Sequence, residues 1–298
     1  MSFVRHFTLI NSVGEEYDIT NKQVLLSEPS GLGIKRDNNY RRVGNRFYLL
    51  SKRRAQENFK GVVNFTPPDA YIKYNEFVAF ISKEPLKLRY KPIDNYDYYK
   101  YRGVFPKWDY VFYQNVMIGS LSKQDLTKYG SLECQLELTP MTPWYRSLYL
   151  TSEDKEKKPG VVWESTSTFT WEWETNDVKR LRFDADCHIP SPIKVMIPGP
   201  AVHPSWRHYV DNKLVREGSI DCVVPANHNL IIDNTSDTFR VVIETTGGEY
   251  VRNVYPDCDF FKDKFIEVQN GSNVISATFT ETDDNAINAE VMLFYESV

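Results

Sequence analysis

Residues 132–138 read Leu-Glu-Cys-Gln-Leu-Glu-Leu, a strict alternation of apolar and polar side chains. Successive side chains of a β-strand point to opposite faces, so this pattern buries one face and leaves the other in water. Pro140 and Pro143 then break the pattern before Trp144 and Tyr145. The stretch therefore predicts an antiparallel strand with one face on a core.

Similar strand signals recur through most of the chain. Turn signals such as Gly247-Gly248 and Asn270-Gly271 separate the apolar runs. This spacing is typical of antiparallel two-sheet sandwiches, so the predicted fold class is mainly β with two β-sandwich-type domains. The other predicted strands lie at 4–10, 47–50, 62–65, 86–90, 110–118, 169–173, 193–197, 230–232, 239–243, 265–268, 274–279 and 289–295.

One segment carries a helix signal. Thr66-Pro-Pro-Asp69 offers a capping hydroxyl, a proline at the first helical position and an acid three residues after the cap. Apolar residues then recur on one helical face, and Pro85 prevents the helix from continuing. We predict a single α-helix at about residues 67–83, in the first half of the chain.

The charge distribution divides the chain in two. Residues 1–150 hold 22 Lys and Arg against 15 Asp and Glu, whereas residues 151–298 hold 14 against 25. The stretch Ser152-Glu-Asp-Lys-Glu-Lys-Lys-Pro-Gly160 consists almost entirely of charged residues, Pro and Gly, which indicates an exposed linker. We predict an N-terminal domain (1–150), a linker (151–160) and a C-terminal domain (161–298). The opposite charges indicate domains that face different neighbours in an assembly, rather than an enzyme built around one cleft.

The cysteines and the hydropathy bound the cellular environment. Cys134, Cys187, Cys222 and Cys258 lie far apart with no Cys-x-x-Cys pair. We interpret them as free thiols of a protein made in a reducing cytoplasm, with a structural disulfide as the alternative. No apolar run approaches the ~20 residues that span a bilayer, so no membrane association is predicted.

The sequence offers no grouping that commits to catalysis. It lacks a Gly-rich phosphate loop, a Gly-x-Ser-x-Gly elbow and a His-Glu-x-x-His motif. Four histidines in the second half lack the short paired spacing of zinc ligands, which favours scattered turn or surface histidines. Acid pairs such as Glu172 and Glu174 are typical of a solvated strand face. We therefore predict no enzyme activity, no cofactor and no metal.

The stretch 35–60 is strongly basic, with nine Lys and Arg against Asp37 and Glu57. Tyr40, Phe47 and Tyr48 are interleaved with the bases. One interpretation is a solvated loop and strand pair; the other is a surface that docks an acidic protein partner. Sequence-specific nucleic-acid binding is disfavoured by the pI of 5.8 and the acidic second half. The candidate assembly contacts are Arg41, Arg42, Arg46, Lys52, Arg53 and Arg54.

Tryptophans of the second half pose a choice between core and sugar binding. Trp171 and Trp173 share a strand face with Phe169, which favours a core position. Trp206 follows Pro204 in a predicted loop at 203–208. It is the candidate for an exposed ring that stacks on a sugar.

Several motifs together resemble the distal tail protein family of long-tailed phages and prophages of Gram-positive bacteria. In the first half they are Pro29-Ser-Gly-Leu-Gly33, the helix, and the strand 130–138 running into Thr142-Pro-Trp-Tyr145. In the second half they are Gly199-Pro200, Pro204-Ser-Trp206 and the run 265–275. Their order and spacing cover nearly the whole chain.

The resemblance implies an architecture and a set of partners. N-terminal domains with a sandwich, a helix and a long hairpin would form a hexameric ring, and galectin-like C-terminal sandwiches would project outward. The ring would join the tail tube protein to tail-associated tip proteins and to receptor-binding or other baseplate proteins, with DNA passing through its channel. The resemblance places the protein in the virion, after synthesis in the bacterial cytoplasm. Residues 97–112 are predicted to be either the hairpin arm or part of the core.

Two other functions remain open on the sequence alone. One is an adhesin that binds cell-wall polysaccharide through residues 161–298, with Trp206 as a contact. The other is a two-domain wall hydrolase, which is the least favoured because no catalytic grouping stands out. Assays of ring formation, of sugar binding and of cell-wall lysis would distinguish the structural hub, the adhesin and the hydrolase.

Overall fold

The computed structural model describes residues 5–55, 57–92, 111–152, 178–235, 239–263, 265–280 and 286–298. These residues form a mainly β protein with two compact units. The first unit holds residues up to Arg146 together with Tyr295–Val298, and the second holds Ser147–Phe294. The predicted linker from residue 153 onward, the strand at 169–173 and most of 97–112 lie outside the described residues.

The first unit contains ten strands and one helix among its described residues. The strands are β1 (Arg5–Ile10), β2 (Glu16–Asp18), β3 (Val24–Ser30), β4 (Arg36–Val43), β5 (Arg46–Arg54), β6 (Phe59–Phe65), β7 (Leu86–Pro92), β8 (Phe112–Lys123), β9 (Leu132–Pro140) and the start of β10 (Trp144–Thr151). The helix is α1 (Ala70–Ile81). The six strands predicted at 4–10, 47–50, 62–65, 86–90, 110–118 and 132–138 are confirmed as β1, β5, β6, β7, β8 and β9, although β5, β6 and β8 extend three to five residues beyond the predicted bounds.

The long strand β8 links two runs of antiparallel strands in this unit. Its first part pairs with β7, which continues through β1 to β2, and its second part pairs with β9, which continues through β6 to β3. The apolar side chains of the alternating stretch 132–138 point inward as predicted: Leu132, Cys134, Leu136 and Leu138 are all buried. Aromatic rings fill the remaining core, with the Phe7 and Phe59 centroids 5.4 Å apart.

Helix α1 begins three residues later than its predicted start. Asp69 is the N-cap, without a side-chain capping hydrogen bond. The hydroxyl of Thr66 instead donates to backbone carbonyls of residues 22 and 23. The predicted cap is therefore wrong, although the helix exists and buries Phe77 as expected. The Phe77 ring lies 5.7 Å from Phe65 and ties the helix to strand β6.

The described residues of the second unit form two antiparallel sheets, as a sandwich requires. Its strands beyond β10 are β11 (Val178–Ala185), β12 (Ser191–Pro198), β13 (Ala201–Val210), β14 (Lys213–Ser219), β15 (Val223–Val224), β16 (His228–Asp233), β17 (Arg240–Thr245), β18 (Tyr250–Asn253), β19 (Glu267–Val268), β20 (Gly271–Thr280) and β21 (Asn288–Tyr295). One sheet runs β18–β17–β16–β12–β21, and the other runs β11–β20–β13–β14 with β15 beside β13.

Most strands predicted for the second unit are confirmed, and several others were missed. The runs at 193–197, 230–232, 274–279 and 289–295 lie in β12, β16, β20 and β21. The predicted loop at 203–208 is wrong, since these residues belong to β13. The register of β13 shifts between Val202 and Ser205, so Pro204 sits in a bulge where no ladder hydrogen bond is needed.

Among the described residues, no helix is both long enough and apolar enough to cross a membrane. The one α-helix found there, α1, has 12 residues.

Candidate assembly surface

Strands β4 and β5 form a two-stranded hairpin that pairs with no other strand among the described residues. Gly44 and Asn45 make a two-residue turn, and Gly44 has a φ of 62°. Glycine at the first turn position is the arrangement of type II′ turns, whose twist suits a hairpin. The pairing runs from Arg36 opposite Arg54 to Val43 opposite Arg46. The basic stretch therefore folds as an extended ribbon.

The cross-strand pairs divide the outer half of the ribbon into two faces. Directly paired residues of an antiparallel ladder share a face. Arg42 pairs with Phe47 and Tyr40 with Leu49 on one face, whereas Arg41 pairs with Tyr48 and Val43 with Arg46 on the other. A register shift between Asn39 and Tyr40 leaves Leu50 as the extra residue of a bulge. Each face thus combines arginine with apolar or aromatic side chains.

Neither face of the outer ribbon is covered by the parts of the chain that the structure describes. Every residue from Asp37 to Leu50 is exposed, and Phe47 and Leu50 reach 69% and 64%. An isolated two-stranded hairpin is marginal in water, and contiguous exposed apolar residues mark interaction sites. Arg and Tyr are also enriched among the residues that dominate interface energetics. The ribbon has the composition and exposure of a protein-docking surface.

The base of the ribbon is fixed to the first unit. The backbone N–H of Ala55 donates to the carbonyl of Lys35 and extends the ladder. The Arg36 guanidinium forms an ion pair with Glu296, whose side chain is largely buried. The last backbone N–H, of Val298, donates to the Leu32 carbonyl just before the ribbon. The base is thereby held while the tip extends into solvent.

The structure places all six candidate assembly residues on this hairpin. Arg41, Arg42, Arg46 and Arg53 have exposed side chains, and the side chains of Lys52 and Arg54 lie outside the described part. Arg42 is engaged locally: its Nε donates to the Gly44 carbonyl, and its guanidinium lies 6.0 Å from the Phe47 ring centroid. Arg41, Arg46 and Arg53 have no ion-pair partner among the described residues.

Trp206 is buried, which contradicts its prediction as an exposed ring. Its side chain is 1% exposed, on the inward face of β13. Gly218 lies so close that a Cβ there would stand 2.4 Å from ring carbons of Trp206. The exposure was mispredicted because Pro204 indicated a loop where the strand contains a bulge. The buried ring of Trp206 cannot stack on a sugar in this conformation.

The remaining chemically active side chains are dispersed. Within the described ranges, no group of three or more His, Cys, Asp or Glu is placed to hold a metal ion. The four cysteines are free, as predicted, and all four are buried. Burial raises the pKa of the Cys134 thiol to about 11, and that of Cys222 likewise to about 11. These thiols therefore stay protonated and unreactive at neutral pH.

His208 is a buried group whose protonation bears on stability. Its Nε2 lies 3.0 Å from Asn273 Oδ1, and its Nδ1 has no hydrogen-bond partner among the described residues. Burial lowers the pKa of His208, with Arg216 contributing by repulsion, while the Asn273 contact acts in the opposite direction. The imidazole is therefore neutral in the folded unit at neutral pH.

We expect His208 to make the second unit less stable in mild acid. Below a pH of about 6.5 the unfolded chain binds a proton that the folded chain refuses, so stability falls as pH decreases toward the lowered pKa. Between pH 7 and pH 5.5 the urea midpoint should drop more for the wild type than for His208→Gln. The variant His228→Gln, at a half-buried histidine of the same unit, should retain the wild-type difference. Identical pH dependence in wild type and His208→Gln would contradict the assignment.

Comparisons with known proteins agree with this architecture. Residues 6–104 match the family model described as "Distal tail protein, N-terminal domain". The phage p2 baseplate structure in its activated conformation with Sr contains a chain that is 14% identical, with a TM-score of 0.59 and coverage of 99% of this chain and 100% of that one. The Dit protein of phage SPP1, described as a hub of the adsorption apparatus in phages infecting Gram-positive bacteria, is 7% identical. Its TM-score is 0.60, with coverage of 96% and 98%. No curated protein sequence matches.

These matches show what the N-terminal part is similar to and which fold the chain shares with solved structures. The match at residues 6–104 confirms the predicted resemblance to the distal tail protein family. The hairpin β4–β5 lies inside the matched residues. The hairpin described at 36–54 thus falls in the basic stretch, while most of 97–112 lies outside the described residues.

Proposed function

We propose that this protein is a structural hub of a phage tail tip or baseplate. In this role it assembles into a closed ring of six copies that joins the tail tube protein to tail-associated tip proteins and to receptor-binding or other baseplate proteins. DNA passes through the ring, and the protein acts in the virion, after synthesis in the bacterial cytoplasm. The proposed role involves no catalysis.

The exposed basic hairpin is the observation that carries this proposal. A chain that keeps a ribbon of arginine, tyrosine and leucine uncovered needs a partner to bury it. A head-to-tail interface between identical copies gives a closed ring when the rotation from each copy to the next brings the last copy back to the first. The matched distal tail domain contains that ribbon, and the likeness in fold to baseplate and hub proteins extends over nearly the full chain.

The absolute mass of the full-length protein tests the proposal. Light scattering at two concentrations should give a discrete particle near six times 34.8 kDa. The same sample should show rings in negative stain. A polydisperse, concentration-dependent mass would argue against a closed ring, because a closed assembly has one size. A strict monomer at both concentrations would count against spontaneous ring closure.

A further inference from the structure

A cleft of about 290 Å³ lies on the second unit beside strand β18, which ends its sheet among the described residues. Its volume is just below the range of about 300–1,000 Å³ that is typical of ligand pockets. We call it the aromatic cleft, because aromatic rings form most of its wall. The lining residues used below are Phe239, Arg240, Val242, Tyr250, Asn253 and Phe265.

A β-bulge decides which side chains of β18 reach this cleft. Val242 of β17 pairs with Asn253, whereas Glu244 pairs with Tyr250, so Val251 is the extra residue on β18. Successive residues of a strand alternate between two faces, and one extra residue reverses that alternation. The bulge therefore keeps Tyr250 on the same face as Asn253, above the buried floor residue Val242.

Exposed aromatic rings form the wall of the aromatic cleft. Tyr250 is 65% exposed and Phe239 is 64% exposed. Phe239 stacks on Phe265 with ring centroids 4.9 Å apart, and Phe265 stacks in turn on Tyr255. Tyr250 makes no ring contact among the described residues, so its ring is available to a ligand. Exposed apolar surface gathered in one place marks a site of interaction.

A fixed guanidinium supplies hydrogen-bond donors to the aromatic cleft. The Nε of Arg240 donates to Asp233 at 3.1 Å, and its Nη1 donates to Glu244 at 3.3 Å. Both acidic residues are buried and neither lines the cleft, so they fix the guanidinium without occupying the space of a ligand. Two of the five N–H groups are used in this way, and three have no partner among the described residues. A side chain that is already fixed loses little conformational freedom when a ligand binds.

The charges around the aromatic cleft select a neutral ligand. Arg240 is the one charged residue of its described lining. Because Asp233 and Glu244 both pair with Arg240, the three side chains together carry a net charge of −1. An anion would be repelled by the two carboxylates, and a cation would meet the guanidinium first. A neutral ligand with hydrogen-bond acceptors avoids both penalties.

A saccharide has the two surfaces that this cleft can satisfy. One face of a pyranose ring is a patch of C–H groups with partial positive charge, which suits the negative face of an aromatic ring. Its hydroxyl groups accept hydrogen bonds from N–H donors such as Arg240. The Nδ2 of Asn253 and the hydroxyl of Tyr250 have no hydrogen-bond partner among the described residues and add further polar contacts. An apolar side chain of a protein partner would leave these polar groups unpaired.

We propose that the aromatic cleft binds a neutral saccharide. A sugar ring packs its C–H face on Tyr250, and its hydroxyl groups accept hydrogen bonds from the Arg240 guanidinium and the Asn253 amide. Phe239 borders the sugar at the other end of the cleft. This inference goes beyond the structural hub and does not depend on it, because the lining residues named here belong to the second unit and the site needs no particular oligomeric state.

Saturation-transfer NMR with the full-length protein tests the binding. The neutral probes are the methyl β-glycosides of glucose and galactose. Each has an anionic counterpart, the methyl glucuronide or galacturonide, in which a carboxylate replaces the primary alcohol. At least one neutral probe should receive saturation on its C–H protons, with a Kd on the order of 1 mM. Its anionic counterpart should bind at least about threefold more weakly, because of the two carboxylates beside the guanidinium.

Substitutions then test the residues of the aromatic cleft. Tyr250→Ala should weaken binding about tenfold, whereas Tyr250→Phe, which keeps the ring, should retain most of the affinity. Phe261→Ala is the matched control, because Phe261 is a fully exposed ring of the same unit outside the cleft lining. It should bind like the wild type. Arg240→Lys keeps the charge and loses the planar fork, so it should bind at least about threefold more weakly at an unchanged unfolding midpoint.

Several results would overturn the proposal. One is a folded full-length chain that transfers no saturation to either neutral probe. Another is an equal loss of binding in Tyr250→Ala and Phe261→Ala, which would indicate unspecific contact with exposed rings. Stronger binding of the anionic probes would identify an anion site instead. If Tyr250→Ala kept the sugar signals but lowered the light-scattering mass, the cleft would be a contact between copies. The mass of the wild-type particle tests the hub separately from all of these results.

Discussion

Reversing Arg41, Arg42 and Arg46 to Glu is expected to leave the chain folded and to abolish its self-assembly. These side chains are exposed and contribute nothing to a core, so stability should change by less than about 0.5 kcal/mol each. Arginines that act as interface hot spots cost ~2 kcal/mol or more when truncated, and we expect these three to be of that kind. Even with incomplete additivity, three reversals should weaken each contact by more than ~4 kcal/mol, about a thousandfold.

The measurement is the light-scattering mass of the triple variant beside a matched triple reversal. Arg5, Lys22 and Lys128 are described bases of the same unit outside the hairpin, and reversing them gives the same change in net charge. The control should assemble like the wild type, while the hairpin variant should sediment and scatter as a monomer. Normal assembly of the hairpin variant would exclude the basic tip as a contact, whatever the ring's other interfaces are.

Replacing Trp206 by alanine is expected to destabilise the second unit by about 3–5 kcal/mol. The ring is fully buried against Gly218, so its removal leaves a large cavity that the sheet cannot refill. Its indole Nε1 has no hydrogen-bond partner among the described residues, so Trp206→Phe should cost much less than Trp206→Ala. This ranking distinguishes a packing role from a ligand contact.

Denaturant unfolding, followed with hydrogen exchange in the second unit, measures this effect. Phe261→Ala is the control, because Phe261 is fully exposed and its removal should change stability by less than ~0.5 kcal/mol. If Trp206→Ala unfolded at the same denaturant concentration as Phe261→Ala, the ring would have no packing role. Equal denaturant concentrations for the two variants are what an exposed, sugar-stacking Trp206 ring would give.

The parts of the fold that sequence patterns predicted are those in which one strand face meets a core. Strand β9 was predictable because its four apolar residues alternate without interruption and all become buried. Strand β4 was not, because a ribbon with no core on either face has no reason to alternate. Its basic composition identified the surface, although composition alone could not distinguish a loop from a hairpin.

The contacts between distant segments lay beyond the reach of local patterns. Trp206 was misassigned because Pro204 has the same local signature in a loop and in a β-bulge. The aromatic cleft of the second unit depends on β17, β18 and the later residue Phe265, which meet only after folding. Nothing around Tyr250 in the sequence indicates the bulge that keeps its ring on the face of the cleft. Helix α1, in contrast, depended on local apolar periodicity and was predicted within a few residues.

The division of the chain has a consequence for how its halves can be separated or exchanged. The first unit comprises residues up to Arg146 and the last four residues, Tyr295–Val298, and Glu296 holds the hairpin base through Arg36. A chain truncated near residue 150 would therefore lose residues 295–298 of the first unit together with the whole second unit. Deleting the second unit, Ser147–Phe294, and joining Arg146 to Tyr295 through a short linker keeps those four residues and the ion pair of Glu296 with Arg36. The second unit is therefore an insert in the sequence of the first, so exchanging it whole would leave the segments on both sides of it in the first unit.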